Sequence, residues 1–435
     1  MEKVLSTIKG ASTKMTILPL KEVCCRIVDC PHETPEWREN GVPVIRNYNL
    51  VDGHIDTSNL SYVDDETYER RVRREIPKKD DVIFSREAPI GNCGIIPDGF
   101  KCCLGQRLVL LRVNQKICTP SYLITVLQSD FVKQQIEQVS KRGSIVSNFA
   151  IEDLKELLIP VIDNQEDVAS LYTLLSDKIS NNNSICADLE GMAKLLYDYW
   201  FVQFDFPDEN GKPYKSSGGK MVWNEELKRE IPDGWEVKPL SKVLCLLKDG
   251  THNPPKRIDS GIPLLTGTMF GDYFLDYSQA TYITEDDYYT IHKQYKPNAG
   301  DIVITKIGTL GNVNYLRDKD IPIAIHCNSA LLRFPDDYCG MFAFQYCKSK
   351  EFFARLKAAK GQSVQEFCSL DSIGSILMLV PDHKLTARYN DNMKSVLNQM
   401  INSQSENQEL ASLCDFLLPM LMNGQVKVKK EDDNE

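Results

Sequence analysis

Short apolar runs and longer helix-like stretches follow one another along the first half of the chain. The runs Val42–Ile45, Asp81–Ser85 and Leu108–Arg112 are rich in β-branched and other apolar residues, which is typical of β-strands. Ser121–Val139 predicts a helical stretch, and Leu157–Pro160 predicts one more strand that ends at a proline. Strands and helices mixed in this way predict an α+β module.

The second half of the chain repeats this pattern about 220 residues later. Asp29 and His32 correspond to Asp249 and His252. Further pairs at or near this offset are Gly41 and Gly261, Pro43 and Pro263, Asp81 and Asp301, Gly91 and Gly311, Ser121–Val139 and Met341–Ala359, and Leu157–Pro160 and Ile376–Pro381. A constant offset over so long a span predicts two copies of one structural unit.

A long segment with a heptad pattern follows each module and predicts a long helix. In the first helix, the predicted core positions are Val168, Leu175, Asn182, Leu189 and Leu196, alternating with Leu171, Lys178, Ile185, Met192 and Tyr199. In the second helix they are Met393, Met400, Asn407, Cys414 and Leu421, alternating with Val396, Ser403, Leu410 and Leu417.

The sequence leaves two partners open for these apolar stripes: each helix packs on its own module, or the two pair with each other. Polar tracts at 181–184 and 402–405 lie near the middle of the two helices. The middles of antiparallel helices of equal length lie side by side, so the tracts would meet and fix the register. This favours an antiparallel coiled coil.

These patterns predict six segments. They are a first module at 1–160, a central helix at 161–203, a linker at 204–235, a second module at 236–383, a C-terminal helix at 384–423 and an acidic tail at 424–435. The glycine, serine, proline and lysine content of the linker is typical of a surface loop.

Composition narrows the class of protein. The chain has 435 residues, of which 42% are hydrophobic and 26% charged, the balance of a globular protein of two or three domains. No apolar run approaches the roughly 20 residues of a transmembrane helix, and no secretory signal is recognisable. The 14 cysteines include no C-x-x-C pair, which argues against zinc and for reduced, mostly buried thiols in the cytoplasm.

The sequence contains no catalytic motif. A phosphate-binding G-x-x-x-x-G-K-[ST] loop, G-x-G-x-x-G, H-E-x-x-H and G-x-S-x-G are all absent. Asn253-Pro254-Pro255-Lys256 is similar to the Asn-Pro-Pro-aromatic loop of amino-methyltransferases, but a lysine stands where the aromatic ring is needed. We expect His32 and His252 to stabilise a turn beside Asp29 and Asp249 rather than to bind metal.

Two phrases of the sequence are specific enough to identify a family. They are DYWFVQFDF (Asp198–Phe206), continued by IPDGWEVKPLSKV (Ile231–Val243), and FLLPMLMNGQV (Phe416–Val426). Both resemble the specificity subunits of type I restriction–modification systems. The duplicated layout and the two Asp–His pairs add to this resemblance, which covers nearly the whole chain.

The resemblance implies two target-recognition domains joined by a long antiparallel helical coiled-coil spacer. Each domain would read one half of a split double-stranded DNA target. Methyltransferase subunits would supply S-adenosylmethionine chemistry, and restriction subunits would use ATP and Mg²⁺, so that this chain binds no cofactor or metal and catalyses nothing. A cytoplasmic complex without membrane contact follows from the resemblance.

Base reading in DNA grooves requires side chains that donate or accept hydrogen bonds, often arginine, lysine or glutamine. The candidates are the basic cluster Arg70, Arg71, Arg73, Arg74 and Lys78, the symmetric pair Arg86 and Lys306, and two glycine-containing turns with Lys141, Arg142, Ser144, Lys360, Gln362 and Ser363. The alternative for the basic cluster is a face paired with Glu66, Glu69 and Glu75.

Two other functions remain open from the sequence: a remnant of a fused methyltransferase–nuclease, and an adaptor that binds DNA without specificity. The net charge of −10 argues against DNA at first. However, residues 161–233 alone carry 7 basic and 14 acidic groups, whereas residues 1–160 carry 22 of each. The acidity therefore lies mainly outside the modules, where a protein partner is expected.

Overall fold

The computed structural model describes residues 8–10, 15–51, 53–87, 89–140, 149–253, 255–359 and 367–428. Its contacts divide the chain into two units. Unit 1 comprises residues 1–184 and 404–435, and unit 2 comprises residues 185–403. Both units contain helices and sheets, so the α+β class is confirmed.

The elements of the first half are β1 (Ile8–Gly10), β2 (Met15–Pro19), α1 (Leu20–Val23), β3 (Cys24–Asp29), β4 (Val42–Ile45), β5 (Leu50–Val51), β6 (His54–Ile55), β7 (Ser61–Val63), α2 (Asp65–Arg71), β8 (Val82–Ser85), β9 (Cys93–Ile95), β10 (Cys103–Leu104), β11 (Leu108–Val113), α3 (Pro120–Leu127), α4 (Asp130–Ser140), α5 (Ile151–Lys155), β12 (Leu158–Ile162) and α6 (Gln165–Tyr197). One π-helical turn, Asp198–Val202, continues α6.

The elements of the second half are β13 (Met221–Asn224), β14 (Arg229–Pro232), β15 (Glu236–Pro239), α7 (Leu240–Val243), β16 (Leu246–Asp249), β17 (Ile262–Leu265), β18 (Thr281–Ile283), α8 (Glu285–Ile291), β19 (Ile302–Thr305), β20 (Val313–Tyr315), β21 (Ala324–Ile325), β22 (Ser329–Arg333), α9 (Met341–Lys348), α10 (Lys350–Ala358), α11 (Leu370–Gly374), β23 (Leu377–Val380), α12 (His383–Met422) and β24 (Val426–Val428).

A four-stranded antiparallel sheet in the order β3-β11-β8-β9 forms the centre of unit 1. All four residues of β8 are buried, because alternate side chains of a strand point to opposite faces and both faces are covered. Val82 and Phe84 join the core beneath α3 and α4, and Ile83 joins a second cluster on the other face. The continuous apolar run in the sequence reflects this double burial.

Unit 2 repeats the topology with different residues. Its four-stranded sheet has the order β16-β22-β19-β20, and the side chains of β19 again alternate between two clusters. Each unit also has a three-stranded sheet with one parallel pair, β10 with β4 in unit 1 and β21 with β17 in unit 2. The duplication predicted from the 220-residue offset is therefore confirmed at the level of strand order.

Three local predictions are wrong. Each helix-like stretch is two helices, and in unit 2 the break occurs where the extended Ser349 caps α10 by accepting a hydrogen bond from the Phe352 N–H at 3.1 Å. Strand β12 continues past Pro160 to Ile162, since its only partner among the described strands is β2 and a proline is tolerated on such an edge strand. The region predicted to be a plain loop contains the hairpin β13–β14.

The heptad pattern is confirmed for α12 and half wrong for α6. In α12 the predicted core positions are buried, apart from the half-buried Leu410. In α6 the second predicted position leaves Lys178 and Met192 exposed, whereas Cys186 and Ala193 are buried. At these two buried residues the second core position of α6 therefore lies four residues after a residue of the first set, whereas the heptad pattern placed it three residues after.

Polar residues join the two long helices inside unit 1. The Asn182 side-chain amide donates to Asn407 Oδ1 at 2.9 Å and to Glu406 Oε2 at 2.7 Å. Asn407 in turn donates to Asn183 Oδ1 at 2.8 Å. The 181–184 tract therefore meets a polar layer on α12, but at residues 406–407 rather than within the predicted 402–405.

All 14 cysteines are free thiols and most are buried, as their spacing predicted. Burial raises the pKa of Cys93 to about 12, so this thiol stays protonated and unreactive at neutral pH. Across the described ranges, the helices lack the combination of length and apolar character needed to cross a bilayer.

Candidate nucleic-acid interface

The Asp29 carboxylate, at the end of β3, contacts His32 and the candidate residue Arg86 in unit 1. His32 Nε2 lies 2.9 Å from Asp29 Oδ2, and Arg86 Nη1 lies 3.6 Å from the same oxygen. The His32 side chain is exposed, whereas that of Arg86 is only 12% exposed. The second carboxylate oxygen of Asp29 and the Nε of Arg86 are buried and have no hydrogen-bond partner among the described residues.

The equivalent carboxylate of unit 2 has the same arrangement. Asp249 Oδ2 lies 3.2 Å from His252 Nε2 and 3.0 Å from Lys306 Nζ. The Lys306 side chain is 3% exposed, and its ammonium group lies 5.4 Å from the centre of the Phe367 ring. The structure thus brings the symmetric cations Arg86 and Lys306 beside the Asp–His turns, and both histidines contact the carboxylates beside which they were expected to lie.

The two predicted glycine turns lie outside the described residues, so Lys141, Arg142, Ser144, Lys360, Gln362 and Ser363 stay predictions. The chain after each turn is anchored at the same place. The Phe149 N–H donates to the Arg86 carbonyl at 2.8 Å, and the Cys368 N–H donates to the Lys306 carbonyl at 3.0 Å. Phe149 and Cys368 are therefore each bonded to the residue that directly follows β8 or β19.

The basic cluster of unit 1 is split between structural and exposed residues. Arg71 is 5% exposed, and its guanidinium donates to the carbonyls of Leu104, Glu33 and Pro31 at 2.8–3.3 Å. Arg71 therefore joins the end of α2 to β10 and to the segment that follows β3. Because all these acceptors are backbone oxygens, loss of Arg71 would leave buried carbonyl groups without donors.

The other four cations of this cluster are exposed. Arg70 Nη2 lies 3.4 Å from Glu33 Oε1, and the Arg74 guanidinium donates to the Asp29 carbonyl at 3.4 Å. Arg73 forms no ion pair with any described residue, and Lys78 is bonded through its backbone N–H to Asp81. Of the three glutamates expected to neutralise the cluster, Glu75 instead pairs with Arg112 and Arg26.

An arginine that the candidate set omits lies beside two exposed aromatic rings. The guanidinium carbon of Arg46 is 4.9 Å from the ring centre of Trp37 and 4.9 Å from that of Tyr48. Trp37 and Tyr48 are 41% and 43% exposed. A basic residue two positions before a tyrosine, after a buried strand, is the sequence signal that could have identified it.

No group of three or more histidine, cysteine, aspartate or glutamate side chains that could hold a metal ion occurs within the described ranges. Asp29 and Asp249 are each paired with a cation and a histidine. The exposed His32 and His252 can present hydrogen-bond donors just beyond the edge strands β3 and β16.

His292 in unit 2 gives a pH-dependent prediction. Its imidazole is buried, accepts the Ile325 N–H at 3.2 Å through Nε2, and packs against Tyr288 and Tyr295. Burial lowers its pKa to about 4, so the unfolded chain binds a proton at a pH where the folded chain does not. Stability from this group is complete above pH 6.5 and falls as the pH decreases towards 4.

We expect acidification from pH 7.5 to 5 to destabilise unit 2 by about 2 kcal/mol through His292. The measurement is urea unfolding of the full chain and of His292→Gln, whose side-chain oxygen can still accept the Ile325 N–H. The variant should lack this part of the pH dependence. Equal pH dependence in both chains would contradict the assignment. Val72, the counterpart in unit 1, cannot titrate.

Comparison with known proteins gives consistent matches. Residues 16–190 match the model of the type I restriction modification DNA specificity domain. The chain is 22% identical over 398 residues to the type I restriction enzyme MjaIX specificity subunit of Methanocaldococcus jannaschii, with 86% of each chain covered. It is 21% identical over 407 residues to the HindI specificity subunit of Haemophilus influenzae, covering 80% of this chain and 87% of that one.

A solved structure shares the fold. The crystal structure of the type I restriction–modification S subunit from M. genitalium matches with a TM-score of 0.51 at 16% identity, over 96% of this chain and 97% of that chain. Residues 16–190 are thus similar to the type I restriction modification DNA specificity domain, and the chain is similar over most of its length to type I restriction enzyme specificity subunits.

Proposed function

We propose that this chain is the DNA sequence-specificity subunit of a type I restriction–modification complex. The observation that carries the proposal is the duplicated unit, with one strand order built twice from different residues, in a chain related over most of its length to specificity subunits. Two modules with a common scaffold and different surfaces suit the reading of two unlike half-sites.

In this proposal the two modules are target-recognition domains, and α6 with α12 forms an antiparallel coiled-coil spacer. The contacts between Asn182 and Asn407 support helix pairing in unit 1. In unit 2, the Tyr389 hydroxyl donates to the Ala193 carbonyl at 2.9 Å, which supports the same antiparallel direction. The 33 residues of α6 give a helix of about 50 Å, comparable to one and a half turns of B-DNA at about 34 Å per turn.

The proposed partners are double-stranded DNA, methyltransferase subunits and restriction subunits, in the cytoplasm. S-adenosylmethionine, ATP and Mg²⁺ would be bound by the partner subunits, and this chain would contribute specificity without catalysis. The near-neutral modules offer little unpaired charge for phosphates, so we expect the isolated chain to bind DNA weakly and the assembled complex to supply most of the affinity.

Among the candidate contacts, exposure favours Arg70, Arg73, Arg74 and Lys78, since their charged groups can reach a phosphate or base without unfolding the module. Arg71, Arg86 and Lys306 would act from inside the module by holding the exposed residues in place.

The test is co-expression of the chain with its methyltransferase subunit in a host without adenine methylation, followed by mapping of methylated adenines across the genome. The control is the methyltransferase subunit expressed alone. We expect a split motif with two different halves, present only when both chains are expressed. An absence of methylation in an assembled complex, or the same motif from the methyltransferase alone, would overturn the proposal.

A further inference from the structure

The turn that follows the central strand of the three-stranded sheet, β4 in unit 1 and β17 in unit 2, has the same backbone in both units. In unit 1, the Asn49 N–H donates to the Arg46 carbonyl at 2.9 Å. In unit 2, the Met269 N–H donates to the Thr266 carbonyl at 3.1 Å. Arg46 has φ −119° and ψ 167°, and Thr266 has φ −116° and ψ 167°.

The chain beyond the turn is held by matching contacts. The N–H of Asp56 donates to the Asn49 carbonyl at 2.8 Å, and that of Asp276 donates to the Met269 carbonyl at 2.8 Å. The Asp56 carboxylate accepts from the Ser58 N–H at 2.8 Å and that of Asp276 from the Ser278 N–H at 2.9 Å. The two turns therefore share one hydrogen-bonded backbone frame.

The side chains that this frame exposes differ completely between the units. In unit 1, Arg46 Nη1 lies 3.4 Å from the Tyr48 hydroxyl, which is 3.2 Å from Ser61 Oγ. In unit 2, the equivalent positions are Thr266 and Thr268, whose hydroxyl groups lie 3.0 Å apart. The position of Trp37 is occupied in unit 2 by the exposed Arg257.

The chemistry of the two sets points to different bases. A guanidinium held against aromatic rings loses less conformational freedom on binding, and its planar fork matches the O6 and N7 acceptors of guanine. Two small hydroxyl groups can donate or accept at several bases, and their methyl groups suit the methyl group of thymine. Identical frames with unlike side chains are what two different half-sites require.

We infer that residues 46–48 and 266–268 are base-reading turns, and that Arg46, held by Trp37 and Tyr48, reads a guanine in the half-site of unit 1. This inference rests on the proposed function. It makes Arg46, Tyr48, Thr266 and Thr268 specificity-determining positions.

The test uses the co-expressed complex and its methylated motif. We expect Arg46→Ala to change or relax one position in one half of the motif and to reduce methylation of the original motif by roughly 5- to 150-fold. The other half should stay unchanged. The matched control is Arg38→Ala, which removes a cation paired with Asp64 at 3.0 Å in the same unit and should leave the motif as it was.

A graft keeps the inference testable if Arg46→Ala fails to assemble. Arg257→Trp, Thr266→Arg and Thr268→Tyr together should introduce a guanine into the half-site of unit 2. A uniform loss of methylation with an unchanged motif in Arg46→Ala would identify a phosphate contact and overturn the inference, as would an unchanged motif in the assembled graft. If the unmutated complex directs no split motif, the proposed function itself fails.

Discussion

Replacing Asp301 by alanine is expected to destabilise unit 2 by about 3 kcal/mol. Asp301 is 2% exposed, and its two oxygens lie 2.7 Å from Nε and 2.7 Å from Nη2 of Arg333. It also accepts the Asn298 N–H at 2.8 Å. Alanine would leave the Arg333 guanidinium with only the Lys296 carbonyl as acceptor and this amide without its acceptor, beside the central sheet.

Urea unfolding of the full chain measures this effect, and Asp233→Ala is the matched control. Asp233 pairs with Lys220 at 3.0 Å in the same unit, but both side chains are largely exposed. Solvent and salt screen such a pair, so its loss should change stability by about 0.5 kcal/mol or less. Equal destabilisation by both substitutions would contradict the structural role assigned to Asp301.

Tyr389→Ala is expected to lower the free energy of unfolding of unit 2 by about 3–5 kcal/mol, because it removes a buried ring from an aromatic cluster. Tyr389 is fully buried, and its ring centre lies 5.8 Å from that of Trp200 and 5.3 Å from that of Phe201. Two aromatic residues of the DYWF phrase, Trp200 and Phe201, therefore have a structural role, since they pack on Tyr389 in the second turn of α12.

Tyr389→Phe is the control for this substitution. It keeps the ring and removes only the hydrogen bond to the Ala193 carbonyl, so we expect a loss of about 1 kcal/mol. Thermal unfolding with detection of tryptophan fluorescence follows the same cluster. The packing argument is wrong if alanine and phenylalanine destabilise unit 2 by the same amount.

The sequence predicts most of the fold because its strands are buried on both faces. The run 81–85 shows the continuous apolar pattern of such a strand, and the 220-residue offset transfers the interpretation to the second unit. The heptad pattern predicts the second core position of α6 wrongly, because apolar residues occupy adjacent positions there, such as Ile185 and Cys186. Periodicity cannot choose between neighbours when either could face the core.

The candidate interface was less predictable, because charge in a sequence does not reveal burial. The offset correctly pairs Arg86 with Lys306, yet Lys306 is buried and Arg86 is largely buried, each beside a carboxylate. Arg71 belongs to a run of four arginines within five residues but binds backbone carbonyls. Arg46 stands alone in the sequence, and only the fold brings Trp37 to its side.

The central claim is that each unit specifies one half of a DNA target. The most direct measurement is the methylated motif of a complex in which residues 240–380 of this chain are replaced by residues 20–161, so that the module of unit 1 occurs twice. The account predicts a split motif with two identical halves, both equal to the half that unit 1 specifies. An assembled complex that still methylates the original motif with two unlike halves would contradict it.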